Sequence, residues 1–185
     1  METVLALSKL AAPCSGVKMI LRYLEVKGYR YAIATTSPKP RVPVCVDTAG
    51  LRPWFPEDKI HSGESDFNPP RFKPDPAVYQ KAAKSESVSV QNSIAVEDSL
   101  SGVGSAANAK IGLIVGYVGA THISSENKDA HALSLLGGGK SKKWPWCRCS
   151  HRKYGRLGCP GRRLPRYCHE RRADRAPECR CEGAS

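Results

Sequence analysis

The sequence predicts an α/β domain, with strands and helices alternating around a mostly parallel sheet that is covered on both faces. Three observations predict it. Short, mostly apolar strand-like segments at residues 29–34, 93–96 and 111–115 stop at polar or small residues. Stretches with apolar residues at helical spacing separate them, the clearest being Val17, Ile20, Leu21 and Leu24 at i, i+3, i+4 and i+7. Polar residues able to do chemistry fall just after the runs, where open α/β sheets bind ligands.

Each element has its own signals. Ser15 is a candidate N-cap for the first helix, and Gly28 lies past its end. Residues 29–34 read as a buried strand that stops at Thr35-Thr36-Ser37-Pro38. A short helix over 42–49 ends at Gly50, and residues 59–62 form a short strand followed by a polar loop through Pro70. Asp75 caps a helix that has Pro76 at its first position and runs to about Lys84. Residues 93–96 form the next strand, 102–109 the next helix and 111–115 a further strand.

Composition divides the chain in two. The 185 residues carry a formal charge of +12, but residues 1–139 hold 15 Lys/Arg against 13 Asp/Glu, while 140–185 hold 14 against 4. Six of the eight cysteines crowd the second part, and the change falls near Gly137-Gly138-Gly139. No stretch reaches the roughly 18 consecutive apolar residues of a membrane helix. Met1-Glu2-Thr3 lacks the basic start of a signal peptide. The expectation is a cytoplasmic protein with no membrane partner.

Two segments carry the chemistry. Lys73-Pro74-Asp75-Pro76 sets a lysine just before a helix, and Ser93-Ile94-Ala95-Val96-Glu97-Asp98-Ser99 sets two adjacent carboxylates where a strand runs out. A fixed ammonium beside hard oxygen ligands suits Mg²⁺-dependent phosphoryl transfer. Taken singly, a Thr-Thr-Ser turn, a Lys-Pro helix entry or an acidic helix start is an ordinary structural feature. Their order on successive strand ends gives them weight.

At these residues the chain resembles the haloacid dehalogenase-like (HAD) hydrolases, in particular the branch with beta-phosphoglucomutase and the CbbY-like sugar-phosphate phosphatases. The resemblance covers residues 13–139. Ala32-Ile33-Ala34-Thr35-Thr36-Ser37 is similar to the family's second motif, Lys73 to the lysine of the third, and Val96-Glu97-Asp98-Ser99 with Gly102 to the fourth. The resemblance implies a Rossmann-like three-layer core, phosphate binding by Thr35 and Thr36, charge balance by Lys73, and Mg²⁺ held by Glu97 and Asp98. It implies a small phosphorylated metabolite, such as a sugar phosphate, as substrate. The family's route passes through an aspartyl-phosphate, with a second aspartate as general acid and base.

The family's nucleophile motif, an apolar strand ending in Asp-x-Asp-Gly-Thr, is absent from these residues. The only acid in residues 1–14 is Glu2, and Asp47, Asp58 and Asp66 lack the strand context. Residues 1–14 read as a remnant of the cap domain's last helix or its linker, and 15–139 as a partial core without its central strand or helical cap. In the family that strand lies between the strands ending here at Thr35 and Val96. Its loss would strand backbone groups at about 1–3 kcal/mol each if buried, against a domain stability of about 5–15 kcal/mol. Either those two strands pair directly or the piece is unstable alone. The expectation for the chain as written is an inactive fragment. A different reading is a non-catalytic phosphate- or metal-binding module completed by a partner chain, of unknown identity.

Residues 140–185 admit three readings. Cys147, Cys149, His151, Cys159, Cys168, His169, Cys179 and Cys181 could ligate zinc, but C-x-C pairs with scattered partners fit no common framework. Basic residues beside Trp144, Trp146, Tyr154 and Tyr167 could hold nucleic acid, although no periodic apolar face organises them. The third reading is a shifted reading frame. One base into the Trp144 codon, the codons permit Gly-Arg-Gly-Ala-Asp-Val, similar to the entry to this family's closing strand. That reading explains the Arg, Cys, Pro and Gly bias, predicts a disordered tail, and makes nucleic acid an unexpected partner.

Overall fold

The computed structural model describes Ala6, residues 8–137 and the backbone of Cys147–Arg148. The elements run α1 (Val17–Val26), β1 (Ile33–Thr35), α2 (Arg41–Thr48), β2 (Ile60–Ser62), α3 (Ala77–Ser85), β3 (Ile94–Glu97), α4 (Leu100–Asn108), β4 (Leu113–Gly116), α5 (Lys128–Gly137) and β5 (Cys147–Arg148). All strand pairs are parallel, as strands joined by helical crossovers require. This is the predicted α/β fold.

The sheet is split. β1 pairs with β2 in one sheet, and β3, β4 and β5 form another in that order. β1 and β3 therefore do not pair directly, so that alternative for closing the sheet is not taken. β5 belongs to the segment expected to be disordered, and its two residues pair with Val115 and Gly116 of β4. The tail's cysteines and histidines, apart from the backbone of Cys147, lie outside the described residues, as do the zinc, nucleic-acid and disorder readings that rest on them.

The helices form where capping and burial agree. α1 ends in a Schellman arrangement: Tyr29 N–H donates to the Leu24 carbonyl at 2.9 Å and Gly28 N–H to that of Glu25 at 3.0 Å. Gly28 takes the left-handed position, φ +68°, that this cap requires. At its start the sequence expectation is corrected. Gly16, at φ +83°, occupies the cap position rather than Ser15, and no side chain caps the first turn. β1 is also shorter than the strand expected over 29–34, because its register with β2 covers only Ile33 to Thr35.

Two cores hold the elements together. Leu21 of α1, Val42 and Val46 of α2, Phe55 and Ile60 form one. Val78 and Tyr79 of α3, Ala95, Val103, Ile114 and Leu135 anchor the other. Ala34 of β1 packs on this second cluster, so α3 touches both sheets.

Candidate active site

Strand parity decides what β3 presents. Ala95 and Glu97 turn inward at 3% and 7% exposure, while Ile94 and Val96 turn outward at 64% and 63%. An acid is thus buried while its apolar neighbours are open. A buried carboxylate needs compensating partners, and Glu97 has two. Its Oε1 accepts from Lys73 Nζ and from the Tyr79 hydroxyl. Lys73 also lies 5.1 Å from the centre of the Tyr79 ring. Burial, followed by the Glu97 charge and the hydrogen bond to it, pushes the Tyr79 hydroxyl far above its usual range, so it acts as a fixed donor. Gly102 completes the enclosure: a Cβ there would collide with the Glu97 carboxylate.

The loop bearing Lys73 is fastened from α4. Ser105 Oγ donates to the Asp75 carbonyl at 2.6 Å and Asn108 Nδ2 to that of Pro74 at 2.9 Å. Asp75 Oδ1 accepts from Ala77 N–H at 2.8 Å, so it binds the first amide of α3 from the residue before the cap position, which Pro76 occupies in place of the expected Asp75. Pro76 falls just before the first helical residue. Lys73 is thereby set rigidly at the C-terminal end of β3, eleven per cent exposed.

Asp98 behaves differently. Its side chain is 39% exposed, with His122 Nε2 at 4.0 Å from Oδ2. His131 on α5 holds the Asp98 main-chain carbonyl at 2.7 Å, and Ser99 caps α4 by accepting from Gly102 N–H at 3.1 Å. Mg²⁺ is satisfied by one or two carboxylates with water and phosphate filling the rest of an octahedron. Asp98 fits that requirement as an open hard ligand. One Glu97 oxygen is committed to Lys73 and Tyr79. Among the described residues no three His, Cys, Asp or Glu side chains form a metal cluster.

Thr35 closes β1 on the other sheet. Its Oγ1 accepts from Ser37 N–H at 3.1 Å, and Ser62 Oγ donates to the Ser37 carbonyl at 2.7 Å. Gly63 links this turn to the lysine loop: its N–H donates to the Thr35 carbonyl and its carbonyl accepts from Arg71 N–H, both at 2.7 Å. A Cβ on Gly63 would strike the Arg71 carbonyl. Nearby, Asp66 binds Lys39 at 2.6 Å, Lys81 at 3.5 Å and Ser62 N–H at 3.0 Å. Burial alone would raise the Asp66 carboxyl, but these donors outweigh it and hold it below the usual range.

The structure thus brings Lys73 and Glu97 into contact, sets Asp98 beside them, and ties the Thr35–Thr36 turn to the lysine loop through Gly63. The hydrogen bonds of Thr35 run to Ser37 and Gly63 and not to the acidic pair. Sequence reasoning passed over Tyr79, Ser105, Asn108 and His131. Tyr79, one turn into α3 after Lys-Pro-Asp-Pro, was the one with a local signal.

Residues 2–115 match the haloacid dehalogenase-like hydrolase family. A haloacid dehalogenase-like protein of unknown function from Agrobacterium tumefaciens is 28% identical with a TM-score of 0.59, over 68% of this chain and 52% of that one. A Thermotoga maritima protein assigned as a beta-phosphoglucomutase is 26% identical, TM-score 0.55, with the same two coverages. CbbY from Rhodobacter sphaeroides, solved with xylulose-(1,5)bisphosphate, shares the fold at 24% identity and TM-score 0.54, over 65% of this chain and 54% of its own. The chain spans about half the length of these structures. With the family match extending over more than half of its residues, the chain belongs to the haloacid dehalogenase-like hydrolases.

Proposed function

We propose that this chain carries the phosphate- and cation-binding side of a Mg²⁺-dependent phosphatase site for a small phosphorylated metabolite, with a sugar phosphate as the favoured class. The observation that carries the proposal is the buried Lys73–Glu97 pair at the strand ends, with the open Asp98 carboxylate next in sequence. Kinship with a protein assigned as a beta-phosphoglucomutase supports the sugar-phosphate class.

In this reading Thr35 Oγ and the Thr36 backbone accept the phosphate as donors of hydrogen bonds. The Lys73 ammonium, held by Glu97, faces the negative charge of the transferring group, where most of the acceleration of phosphoryl transfer arises. Asp98 holds the cation directly and Glu97 reaches it through water. Bound Mg²⁺ would neutralise phosphate oxygens and polarise the phosphorus. The 185 residues contain no Asp-x-Asp-Gly-Thr motif, so the chain as written binds phosphate without turning it over.

A para-nitrophenyl phosphate assay with Mg²⁺ tests this. The expected result is no turnover above the uncatalysed rate. Turnover abolished by Asp98→Asn would show an attacking group among these residues and overturn the inactive-fragment reading.

A further inference from the structure

We infer that His131 is a positioning residue for the cation site: from α5 it fixes the main chain of Asp98, and so the direction in which that carboxylate meets a divalent cation. This rests on the reading of Asp98 as the open cation ligand and adds to it a residue from a different element.

The turn after β3 is held at three points. The Glu97 carbonyl accepts from Tyr117 N–H at 2.7 Å, the Asp98 carbonyl is held by His131 Nε2 at 2.7 Å, and Ser99 Oγ accepts from Gly102 N–H at 3.1 Å. The first of these belongs to the β3–β4 ladder and the third to the cap of α4. A strand running into a helix makes both for its own sake. The histidine contact is additional. It spans 33 residues, and the backbone bonds of the ladder and of α4 pass the Asp98 carbonyl by.

The Asp98 carboxylate is the loose group of this turn. It is 39% exposed, and His122 Nε2 stands 4.0 Å from Oδ2, too far for a hydrogen bond. Its direction is therefore set through the main chain, and the His131 bond holds the peptide plane that follows Asp98. A carbonyl oxygen only accepts, so Nε2 of His131 carries the proton and the ring is the donor. The ring is half-buried and rides on a seated helix. Leu135, one turn further along α5, is 3% exposed in the second core, and Ala132 packs on the same cluster. Leu135 also closes on Gly116 at the end of β4, where a Cβ would come within 3.3 Å of its Cδ1. A rigid donor on a packed helix is what orients a ligand that is otherwise free to turn, and losing such a partner typically costs 10–100-fold in metal affinity.

The test titrates the full chain with Mg²⁺ in the presence of inorganic phosphate, followed by calorimetry, with urea unfolding of each variant alongside. His131→Ala should weaken Mg²⁺ binding roughly tenfold or more. His131→Gln, whose side-chain amide nitrogen reaches about as far as Nε2, should restore most of it, while the shorter His131→Asn should not. Ser134→Ala removes a different α5 hydrogen bond, from Ser134 Oγ to the His131 carbonyl at 2.7 Å. It should shift the unfolding midpoint and leave Mg²⁺ binding unchanged, which separates positioning from a role in stability alone. If His131→Ala does not fold, the glutamine–asparagine comparison carries the test. Mg²⁺ affinity that is equal in His131→Ala and the unaltered chain, equal in the glutamine and asparagine variants, or lost to the same extent in Ser134→Ala would overturn this inference alone. Absence of Mg²⁺ binding in the unaltered chain would overturn the cation-site reading and this inference with it.

Discussion

Replacing Lys73 by methionine isolates the interaction on which the site depends. Lys73 and Glu97 keep only 11% and 8% of their side-chain exposure. Methionine preserves most of the apolar stem but leaves Glu97 buried with Tyr79 as its remaining charge-stabilising partner. Breaking a buried pair in this way costs about 3–5 kcal/mol, which is a large share of a stability of about 5–15 kcal/mol. Tyr79→Phe removes one hydrogen bond to a charged acceptor and costs about 1.5–3 kcal/mol. The double variant Lys73→Met/Glu97→Gln removes both charges and should recover much of the first loss. Urea unfolding followed by circular dichroism reads these differences as midpoint shifts. At a slope of about 1–3 kcal/mol per molar urea, the single lysine variant moves the midpoint by at least about 1 M. A shift below about 0.3 M, or equal shifts for the single and double variants, would refute a buried, mutually dependent pair.

Other outcomes follow from the same geometry. Gly102→Ala normally stabilises a helix by up to about 1 kcal/mol, but here the new methyl meets the Glu97 carboxylate. The thermal midpoint should fall, by the equivalent of about 1–3 kcal/mol. Ser105→Ala removes the buried donor to the Asp75 carbonyl and should cost about 1 kcal/mol in urea unfolding. Burial holds His61 below its ordinary value of 6.5, with Ser85 Oγ 2.8 Å from its ring. The unfolded chain then binds the proton more readily, so stability is full above pH 6.5 and falls as the pH drops below it. Asp66, held low by Lys39 and its other donors, adds a second loss as pH falls below the usual carboxylate range, near 4. His61→Gln should remove the first stage of an acid titration and leave the second.

Much of this arrangement was legible in the residues. Alternating apolar runs and helical spacings marked the elements, and Lys73, Glu97 and Asp98 stood out because they follow strand ends. The misses have physical causes. Ser15 looks like a cap, but the turn before α1 is made by Gly16 in a left-handed conformation. Residues 29–32 (Tyr-Arg-Tyr-Ala) lead straight into the strand with no turn residue to mark its start, yet pairing extends only as far as β2 reaches. The inward face of Glu97 was invisible because Ile94, Ala95 and Val96 suggested an apolar strand without saying which side is covered. Only tertiary contacts with Lys73 and Tyr79 bury the acid and leave Ile94 and Val96 open. The anchors Ser105 and Asn108 were hidden because a serine and an asparagine on a helix carry no signal until a loop about 30 residues earlier lies against them.

Calorimetric titration of the full chain with inorganic phosphate, with and without Mg²⁺, tests the central claim most directly. Saturable binding that requires Mg²⁺, and that weakens roughly tenfold or more in both Asp98→Asn and Thr35→Val, is the predicted result. Phosphate binding that is indifferent to Mg²⁺ and to both substitutions would contradict it.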